Sequence, residues 1–506
     1  MSSRVTRLRE TDRRLFTLVT EAAFANPYSA RRSRLDAEIS EGPADDPAWV
    51  ERMLRKVGER LAALAPQGKL DVSAYGAEDR DLVEHTVLFE TFHRYLEPLD
   101  ALIERQRSHR GGPLRVPFAT EFQRGLTERG LAPERARRTL ELFFQMRRAF
   151  YFISRGLVGS SPCMRQLREQ LWRALFTHDL RRYERQLWDR MEDFSTILLG
   201  ETGSGKGAAA AALGASGFIP FDPAKGAFAY SFLDAFVPIH LNEFPETLFE
   251  SEIFGHRKGS FTGAVEHHEG ALARCKPHGT VFFDEIGEAT LPVQVKLLRV
   301  LQDRSYAPVG SRELQRFSGR IVAATHRSLA ELRARGAMRD DFFYRLCSNV
   351  IEVPPLRKRI AEDEQELGAL IQHLCERMTH PGPEACELAR GVAAVIRAEL
   401  GATPQFRGNV RELEQCVRRV LVSGHARADA AEAASSLAES GEAGTLASVL
   451  AHAELSAEAL LDQYCSALHA RTGSYVEVAR ITGLDRRTVK KHIQRSTPKP
   501  RTTRPH

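Results

Sequence analysis

A glycine-rich segment after a short apolar strand constrains this chain more than any other feature. The strand is predicted at 195–199 (STILL), and the segment after it reads Gly200, Glu201, Thr202, Gly203, Ser204, Gly205, Lys206, Gly207. Such glycines let the backbone wrap around a phosphate, with inward-pointing N–H groups and the positive end of the next helix. Lys206 supplies a charge for the β and γ phosphates. A glycine-rich turn without a ligand is the alternative for this motif alone, and Gly207 stands where a Ser or Thr usually helps to hold magnesium.

Two acidic residues, Asp284 and Glu285, end another apolar strand further along the chain. Burying carboxylates without partners costs too much free energy to be a common structural choice. Asp284 is expected to hold Mg²⁺, directly or through water, and Glu285 is expected to polarise the attacking water. Together the two motifs predict an ATPase that uses ATP and Mg²⁺.

Apolar periodicity divides the chain into helical ends and an α/β middle. Residues 1–156 show helical spacing, for example at Met53, Val57 and Leu61, and lack an alternating strand pattern. Short apolar runs then alternate with helical stretches, which predicts a largely parallel sheet. Those runs are 195–199, 236–241, 280–283, 320–325 and 349–353. The predicted parts are a helical N-terminal sensor domain (1–156), an α/β core (157–355), a helical region (356–423), a linker rich in Ala, Glu, Ser and Gly (424–447), a short helical domain (448–495) and a basic tail (496–506).

Composition and the N-terminal sequence indicate the cellular compartment in which the chain is expected to function. Its 506 residues carry a formal net charge of +6, and its 7 cysteines have no paired spacing, so neither a disulfide framework nor a zinc site is expected. The N-terminus lacks the apolar segment of a signal peptide, and no apolar run is long enough to cross a bilayer. These features predict a multidomain cytoplasmic protein without a membrane partner.

The segment 250–264 (ESEIFGHRKGSFTGA) closely resembles part of the central AAA+ domain of bacterial enhancer-binding proteins, the sigma-54-dependent activators. The hallmark of that family is a GAFTGA loop, and the sequence here is GSFTGA. By this resemblance, the residues that contact sigma-54 are Gly259, Ser260, Phe261, Thr262, Gly263, Ala264. An aromatic side chain between glycines in a polar neighbourhood is poorly placed for a core and well placed to touch a partner. An ordinary turn with one buried Phe is the alternative.

The resemblance covers about 157–423 and implies further site residues. The segment 279–288 looks like Walker B, and 320–329 looks like sensor I, with His326 where Asn is commoner. The segment 338–346 resembles the arginine-finger segment, which implies that Arg339 and Arg345 reach the γ-phosphate in a neighbouring subunit. Fingers that act in trans imply a ring of identical subunits, and the family suggests a hexamer. For any single arginine, a surface salt bridge is the alternative.

A helical lid is implied after the α/β core. The segment 353–359 (VPPLRKR) resembles the start of the lid, and 406–413 resembles sensor II, with Arg411 as the nucleotide contact. Phe406 and Arg407 replace the usual Trp-Pro of that motif.

Two departures from the family pattern precede the Walker B strand. The asparagine thought to restrain the Walker B glutamate falls on His240, and Asn242 lies two residues on, hence on the same face of a continuous strand. Asn242 is therefore expected to be able to substitute. The segment 217–236 is extra sequence between the P-loop helix and this strand, and no role is assigned to it.

The C-terminal segment 474–493 resembles a Fis-type helix-turn-helix. Its expected core residues are Val478, Ala479, Ile481, Leu484, Val489, Ile493. Gly483 permits the turn, and Asp485 can cap the second helix. The expected DNA-binding residues on the exposed recognition helix are Arg486, Arg487, Thr488, Lys490, Lys491. A solvated basic helix followed by a basic tail is the alternative, because such a patch binds phosphate before it reads bases.

The predicted architecture is therefore multidomain: an α-helical N-terminal domain, an α/β P-loop AAA+ core with a helical lid, and a C-terminal all-α helix-turn-helix. The resemblance implies a regulator that binds upstream double-stranded DNA and uses ATP hydrolysis to remodel RNA polymerase carrying sigma-54. One alternative is a DNA-binding regulator whose ATPase domain only assembles. Another is an ATP-driven machine for a different substrate. The intact FTGA segment and the Asp–Glu pair argue against the first alternative, and the same loop together with the Fis-like C-terminal segment argues against the second. The signal sensed by residues 1–156 stays open between a small molecule, a protein and none.

Overall fold

The computed structural model of the chain describes residues 6–42, 48–65, 70–401, 403–427 and 457–496. It divides into two units, Met1–Ala426 and Arg427–His506. Most of the predicted linker (428–447), the start of the last predicted domain (448–456) and the tail from 497 onward lie outside the described residues. Among the residues that are described, no helix combines the length and the apolarity that crossing a membrane requires.

Helices make up the N-terminal part, as its apolar spacing predicts. They are α1 (Glu10–Phe24), α2 (Ala30–Ser40), α3 (Trp49–Ala63), α4 (Ala77–Arg94), α5 (Leu96–Ser108), α6 (Ala119–Thr127) and α7 (Pro133–Gly156). In α3, Met53, Val57 and Leu61 are buried, which confirms the core face predicted from their helical spacing. The long helix α7 places Leu140, Phe143 and Phe144 in the same core.

A five-stranded parallel sheet lies at the centre of the α/β core. Its strands are β1 (Thr196–Leu199), β4 (Phe236–His240), β5 (Thr280–Asp284), β8 (Arg320–Thr325) and β9 (Asn349–Glu352), in the order β4-β5-β8-β1-β9. Two short antiparallel pairs accompany it: β2 (Phe221–Asp222) with β3 (Ala227–Phe228), and β6 (Ser305–Tyr306) with β7 (Gln315–Arg316). Each of the apolar runs predicted as a strand lies in the central sheet. Because all its strands run the same way, their carboxyl ends meet at one edge, where ligands bind in such sheets.

Helices flank the sheet and continue into a bundle beyond it. Those around the sheet are α8 (Pro162–Phe176), α9 (Leu180–Arg182), α10 (Lys206–Gly214), α11 (Phe249–Phe254), α12 (Ala271–Arg274), α13 (Leu291–Asp303), α14 (Leu329–Ala334) and α15 (Asp340–Leu346). The bundle after β9 consists of α16 (Leu356–Glu362), α17 (Gln365–Met378), α18 (Pro383–Leu400) and α19 (Asn409–Ser423). The bundle has its own apolar core, which includes Leu356, Ile371, Ile396, Leu413 and Val417.

The extra segment 217–236 belongs structurally to the N-terminal domain. It contains the hairpin β2–β3, and its side chains Ile219, Phe221, Phe228 and Phe232 share one core cluster with α1–α7. The Phe228 ring stacks on Phe144 of α7, with ring centroids 4.0 Å apart. The N-terminal helices and the α/β core are therefore joined by apolar packing as well as by the chain.

Arg148 of α7 makes a second connection between the N-terminal helices and the α/β core. Its guanidinium is fully buried and donates hydrogen bonds to the carbonyls of Ala215 and Gly217, both at 2.7 Å. These carbonyls lie just after α10, the helix that follows the P-loop. Burial lowers the pKa of Arg148 to about 9. The end of the P-loop helix is thus held by a side chain of the N-terminal domain.

The C-terminal unit is a three-helix arrangement of α20 (Ala457–Thr472), α21 (Tyr475–Thr482) and α22 (Arg486–Ser496). Its core contains Cys465, Leu468, Val478 and Val489. The prediction that Ile481 belongs to this core is wrong, because its side chain is 42% exposed. The buried face of the short helix α21 runs through its residues 475, 478 and 479, and position 481 falls to one side of that stripe.

Candidate functional site

The P-loop and the acidic pair meet at the carboxyl edge of the central sheet. The Lys206 ammonium is buried and donates to the carbonyls of Gly200, at 2.9 Å, and Glu201, at 3.2 Å. It also lies 3.9 Å from the Glu285 carboxylate. Burial lowers the pKa of Lys206, while the charges of Glu285 and Asp284 oppose that shift. The structure therefore brings together the lysine and the acids that the two motifs predict.

Backbone conformation in the P-loop requires glycine at position 203. Gly203 has φ of +75°, and a Cβ there would collide with the carbonyl of Gly408 in the lid. Its own carbonyl accepts a hydrogen bond from Val410 N–H at 3.1 Å. The segment predicted as sensor II is thus packed directly on the P-loop, next to Lys206.

The lid holds the P-loop through two side chains that sequence reasoning missed. Arg357 donates to both carboxylate oxygens of Glu201, at 2.6 and 2.7 Å. Asn409 donates to the Thr202 carbonyl at 3.0 Å and to Glu201 at 3.2 Å. Arg357, and after it Asn409, lowers the pKa of Glu201. Both residues lie inside quoted motifs, 353–359 and 406–413, so their positions, though not their contacts, were visible in the sequence.

Arg411 is exposed beside the P-loop in the same lid segment. An added Cβ at Gly203 would lie 3.0 Å from the Arg411 Cβ, which places the two residues side by side. The positive charge of Arg411 also contributes to lowering the pKa of Lys206. This position is compatible with the nucleotide contact that the resemblance implies.

Two histidines contact the acidic pair. His326 Nδ1 lies 2.8 Å from Glu285 Oε2, and the His326 backbone N–H donates to the same oxygen at 3.3 Å. His240 Nδ1 lies 3.2 Å from Asp284 Oδ2. Both histidines stand at positions where the family pattern has an asparagine, and both contact the acids directly.

Asn242 does not take the restraining position that its spacing suggested, and this prediction is wrong. Strand β4 ends at His240, and 241–243 form a 3₁₀ turn in which Asn242 is exposed. The alternation of a strand therefore stops before Asn242. Glu285 is contacted by His326 instead, and its own backbone is left-handed, with φ of +55°, which is uncommon for a residue with a side chain.

The arginine-finger segment contributes nothing to this site within one chain. Arg339 pairs with Asp341, at 2.8 Å, and its guanidinium is 44% exposed. Arg345, on α15, is exposed and has no ion pair among the described residues. Both side chains are therefore at the surface, where Asp341 holds Arg339.

The 259–264 loop projects after α11 and is closed by its own backbone. Gly259 N–H donates to the Ala264 carbonyl at 2.8 Å, and Ala264 N–H donates to the Phe261 carbonyl at 3.0 Å. Thr262 and Gly263 are exposed, whereas the Phe261 ring is 37% exposed and packs edge-on against His256, with centroids 4.9 Å apart. Ala264 is buried, so its side chain is not displayed.

Sequence reasoning missed one exposed apolar residue directly after that loop. Val265 has 72% of its surface exposed, more than Phe261. In the sequence, only its position directly after the 259–264 segment could have pointed to Val265. Phe261, Thr262 and Val265 are therefore the exposed side chains at this end of the loop.

Magnesium fits the donor set at the sheet edge. Within the described residues, no group of three or more His, Cys, Asp or Glu side chains forms a closed metal cage. Mg²⁺ is usually held by one or two carboxylates together with waters and substrate phosphates, so the single carboxylate of Asp284 beside a P-loop suits it. The seven cysteines are free thiols in the structure.

The basic side of the C-terminal unit lies on α22. Arg486, Arg487, Lys490 and Lys491 are exposed there. Asp485 caps this helix by accepting hydrogen bonds from the backbone of Arg487, at 2.9 Å, and Thr488, at 3.1 Å, and Gly483 has φ of +71° at the turn. The predicted cap and turn are confirmed. The Thr488 hydroxyl is bonded to Asp485, so it is less available than the cations.

The parallel sheet, the P-loop with its Asp–Glu pair and the packed helical lid define a P-loop nucleotide-binding core. The sequence pattern described as "Sigma-54 interaction domain" matches residues 177–353. The DNA-binding transcriptional regulator NtrC of Azospirillum brasilense is 32% identical over 369 residues, which cover 67% of this chain and 69% of NtrC. The Nif-specific regulatory protein of Azotobacter vinelandii is 32% identical over 350 residues, covering 69% of this chain and 60% of that protein. The chain therefore belongs to the family of sigma-54-dependent transcriptional regulators.

Among solved structures, NtrX from Brucella abortus matches with 19% identity and a TM-score of 0.39, covering 79% of this chain and 85% of that chain.

Proposed function

We propose that this regulator hydrolyses ATP at interfaces between copies of the chain and uses the energy to move the 259–264 loop against RNA polymerase carrying sigma-54. The observation that carries the proposal is the meeting of Lys206, Asp284 and Glu285 at one sheet edge, in the unit that also displays Thr262. Charge neutralisation, metal binding and water activation are the separate tasks of phosphoryl transfer, and these residues match them.

In this proposal Lys206 exchanges its two P-loop carbonyls for the phosphates of ATP, because an ammonium group prefers an anionic acceptor. Asp284 holds Mg²⁺, which when bound neutralises phosphate charge. Glu285 accepts a hydrogen bond from the attacking water, and His326 fixes the orientation of its carboxylate. Arg411 approaches the nucleotide from the lid.

Arg339 and Arg345 are proposed to complete the site of a neighbouring copy. Both guanidinium groups are exposed, and neither contacts the P-loop of its own chain. An arginine supplied in trans stabilises the charge of the transition state and makes hydrolysis depend on assembly. A ring, of six copies by the family resemblance, follows from this head-to-tail arrangement.

The C-terminal unit is proposed to bind double-stranded DNA upstream of the promoter through α22. Its exposed cations and the capped start of the helix suit entry into the major groove. Binding there would raise the concentration of the ATPase near the polymerase. The N-terminal helices are proposed to regulate the ATPase, since Arg148 holds the end of the P-loop helix.

The test separates ATP hydrolysis from polymerase remodelling. Thr262→Ala is expected to retain ATPase activity and to abolish open-complex formation at a sigma-54 promoter, because the loop is exposed away from the nucleotide residues. Thr403→Ala, at another exposed threonine, serves as the matched control and should retain both ATPase activity and open-complex formation. Unchanged transcription activation by Thr262→Ala would favour the alternative in which the ATPase domain only assembles.

A further inference from the structure

The N-terminal helices line a partly open apolar cavity of about 70 Å³. Its walls come from α1, α4 and α7 and include Phe24, Leu88, Phe89, Phe92, Phe143 and Met146. This volume is less than half of the roughly 150 Å³ that an engineered protein cavity uses to hold benzene. The space suits a few carbons of an unbranched chain better than a ring.

A larger polar chamber of about 380 Å³ adjoins the apolar cavity. The side chains of Phe24, His85 and Glu184 line both spaces, so the two meet there. The polar chamber also contains Arg135, which pairs with Glu84, at 3.0 Å, and with Glu184. Those two acids are therefore neutralised within the wall.

Two further arginines of the polar chamber keep their charge available. The Arg181 guanidinium lies over the Phe24 ring, 4.5 Å from its centroid, and Arg185 is exposed. Neither has a carboxylate within ion-pairing distance among the residues that the structure describes. Arg138, also in the wall, stacks on Trp188, and the remaining acid, Asp81, is exposed.

His85 stands where the two spaces meet and has unused hydrogen-bonding capacity. Its Nδ1 atom is buried and has no hydrogen-bond partner. Burial, and after it the charge of Arg181, lowers the pKa of His85 to about 4. The imidazole is therefore neutral near pH 7 and adds no charge of its own.

From this arrangement we infer that the N-terminal domain binds a small aliphatic carboxylate, with its chain in the apolar cavity and its carboxylate between Arg181 and Arg185. An acyl chain of about six carbons spans the two spaces, since the apolar part accepts only a few of them. Arginine recognises carboxylates by charge-assisted hydrogen bonds, and no carboxylate among the described residues occupies that position at Arg181.

Helix α7 links this cavity to the P-loop helix. Leu142, Phe143 and Met146 line the cavity, while Arg148 on the same helix holds the carbonyls of Ala215 and Gly217. A chain that enters the cavity shifts α7 and hence the end of α10. This transmission rests on the proposed ATPase function, whereas binding of the carboxylate does not.

The experiment titrates the full chain with sodium hexanoate by calorimetry and by intrinsic fluorescence. The chain has 3 tryptophans, of which Trp49 packs on the cavity residue His93 and Trp188 lies under Arg138 of the polar chamber. Saturable binding of hexanoate is expected, with much weaker binding of hexylamine, which lacks the anion, and of acetate, which lacks the chain. Equal binding of hexanoate and hexylamine, tighter binding of benzoate, or no saturable hexanoate signal would each overturn the inference.

Variants locate the site. Arg181→Ala combined with Arg185→Ala should weaken hexanoate binding on the order of tenfold or more, since each tenfold loss corresponds to about 1.4 kcal/mol of a charge-assisted contact. Arg182→Ala is the matched control, because this exposed neighbour does not line the chamber. Ala23→Leu should fill the apolar cavity and abolish binding. Because the arginine variants alter exposed side chains, wild-type affinity in the double variant would overturn the site even if Ala23→Leu failed to fold.

Discussion

The imidazole of His326 lies 2.8 Å from one carboxylate oxygen of Glu285, and the other oxygen of that carboxylate lies 3.9 Å from the Lys206 ammonium. The proposed water-activating group is therefore held from both sides. It also sits on a left-handed backbone. Such a conformation persists only where the surroundings fix it, and strain of this kind clusters at functional sites.

His326 is therefore expected to act as a positioning residue for Glu285. His326→Ala should lower the turnover of ATP by roughly 10- to 100-fold and leave the Kd for ATP nearly unchanged, because one charge-assisted hydrogen bond is worth about 1.5–3 kcal/mol. His326→Asn, which retains an N–H donor, should recover part of the rate. Exposed His380→Ala is the control. A rise in Kd without a change in turnover would contradict this role.

Separate tasks for Lys206 and Glu285 give a second prediction. Lys206→Ala should abolish nucleotide binding, since it removes the cation that faces the phosphates. Glu285→Gln should bind ATP and stop hydrolysis, since it keeps the shape and loses the base. Equilibrium binding of a fluorescent ATP analogue and phosphate release measure the two effects. Wild-type hydrolysis by Glu285→Gln would remove the assignment.

The exposed arginine Arg345 should act in the site of a neighbouring copy. Arg345→Ala alone is expected to lose on the order of 10³-fold in turnover, the effect of an arginine supplied in trans. Mixing it with Lys206→Ala chains should restore part of the activity, because hybrid interfaces pair an intact P-loop with an intact finger. Arg335→Ala, also exposed, is the control. No recovery at any mixing ratio, with assembly confirmed by light scattering, would count against this geometry.

The buried His93 and the half-buried His85 should make the N-terminal helices sensitive to acid. Burial lowers the pKa of His93 to about 3 and that of His85 to about 4, from an ordinary 6.5. Between these values and 6.5 the unfolded chain binds more protons than the folded one. The contribution of the two histidines to the free energy of unfolding is therefore fully present above pH 6.5 and is lost progressively as the pH falls toward 4.

The contribution of His93 at pH 5 should be about 2 kcal/mol, since one pKa unit corresponds to about 1.4 kcal/mol. Urea unfolding of the full chain, followed at pH 7 and pH 5, measures the difference. In His93→Gln the loss between the two pH values should be smaller by that amount, whereas exposed His109→Gln should behave like the wild type. An unchanged pH dependence in His93→Gln would refute the account.

DNA recognition by α22 should divide between its first turn and the rest of the helix. Arg486→Ala is expected to cost about 1–3 kcal/mol and to relax specificity at one base pair, if it contacts guanine from the helix start. Lys491→Ala should weaken all sequences equally and reduce the salt slope by roughly 1. Titrations of specific and random duplexes at several salt concentrations distinguish them. A footprint that survives deletion of residues 457–506 would place the DNA-binding surface elsewhere.

The sequence predicts the strands and turns of this protein, because these depend on residues that are near one another in the chain. Each strand of the central sheet coincides with an apolar run. The turn at Gly483 could be predicted because a glycine between two helical segments readily adopts the positive φ that the turn needs. The contact between His326 and Glu285 was hidden, because it joins residues 41 positions apart. Asn242 was misassigned because strand β4 ends at His240, so that the alternation stops before it. Ile481 was misassigned because its place on α21 lies beside the buried face of that helix and not on it.

The hairpin in 217–236 has a consequence for how such a regulator is taken apart or recombined. Cutting the chain before the α/β core would expose the apolar side chains of Ile219, Phe221, Phe228 and Phe232 to water. The activity of such a truncated protein would then reflect association through this new apolar surface as well as the loss of regulation by the N-terminal helices. The N-terminal helices would also carry an incomplete core if they were moved into another protein without this hairpin. A chimaera that takes the N-terminal helices should therefore also take the hairpin at 217–236, because the two share one apolar core.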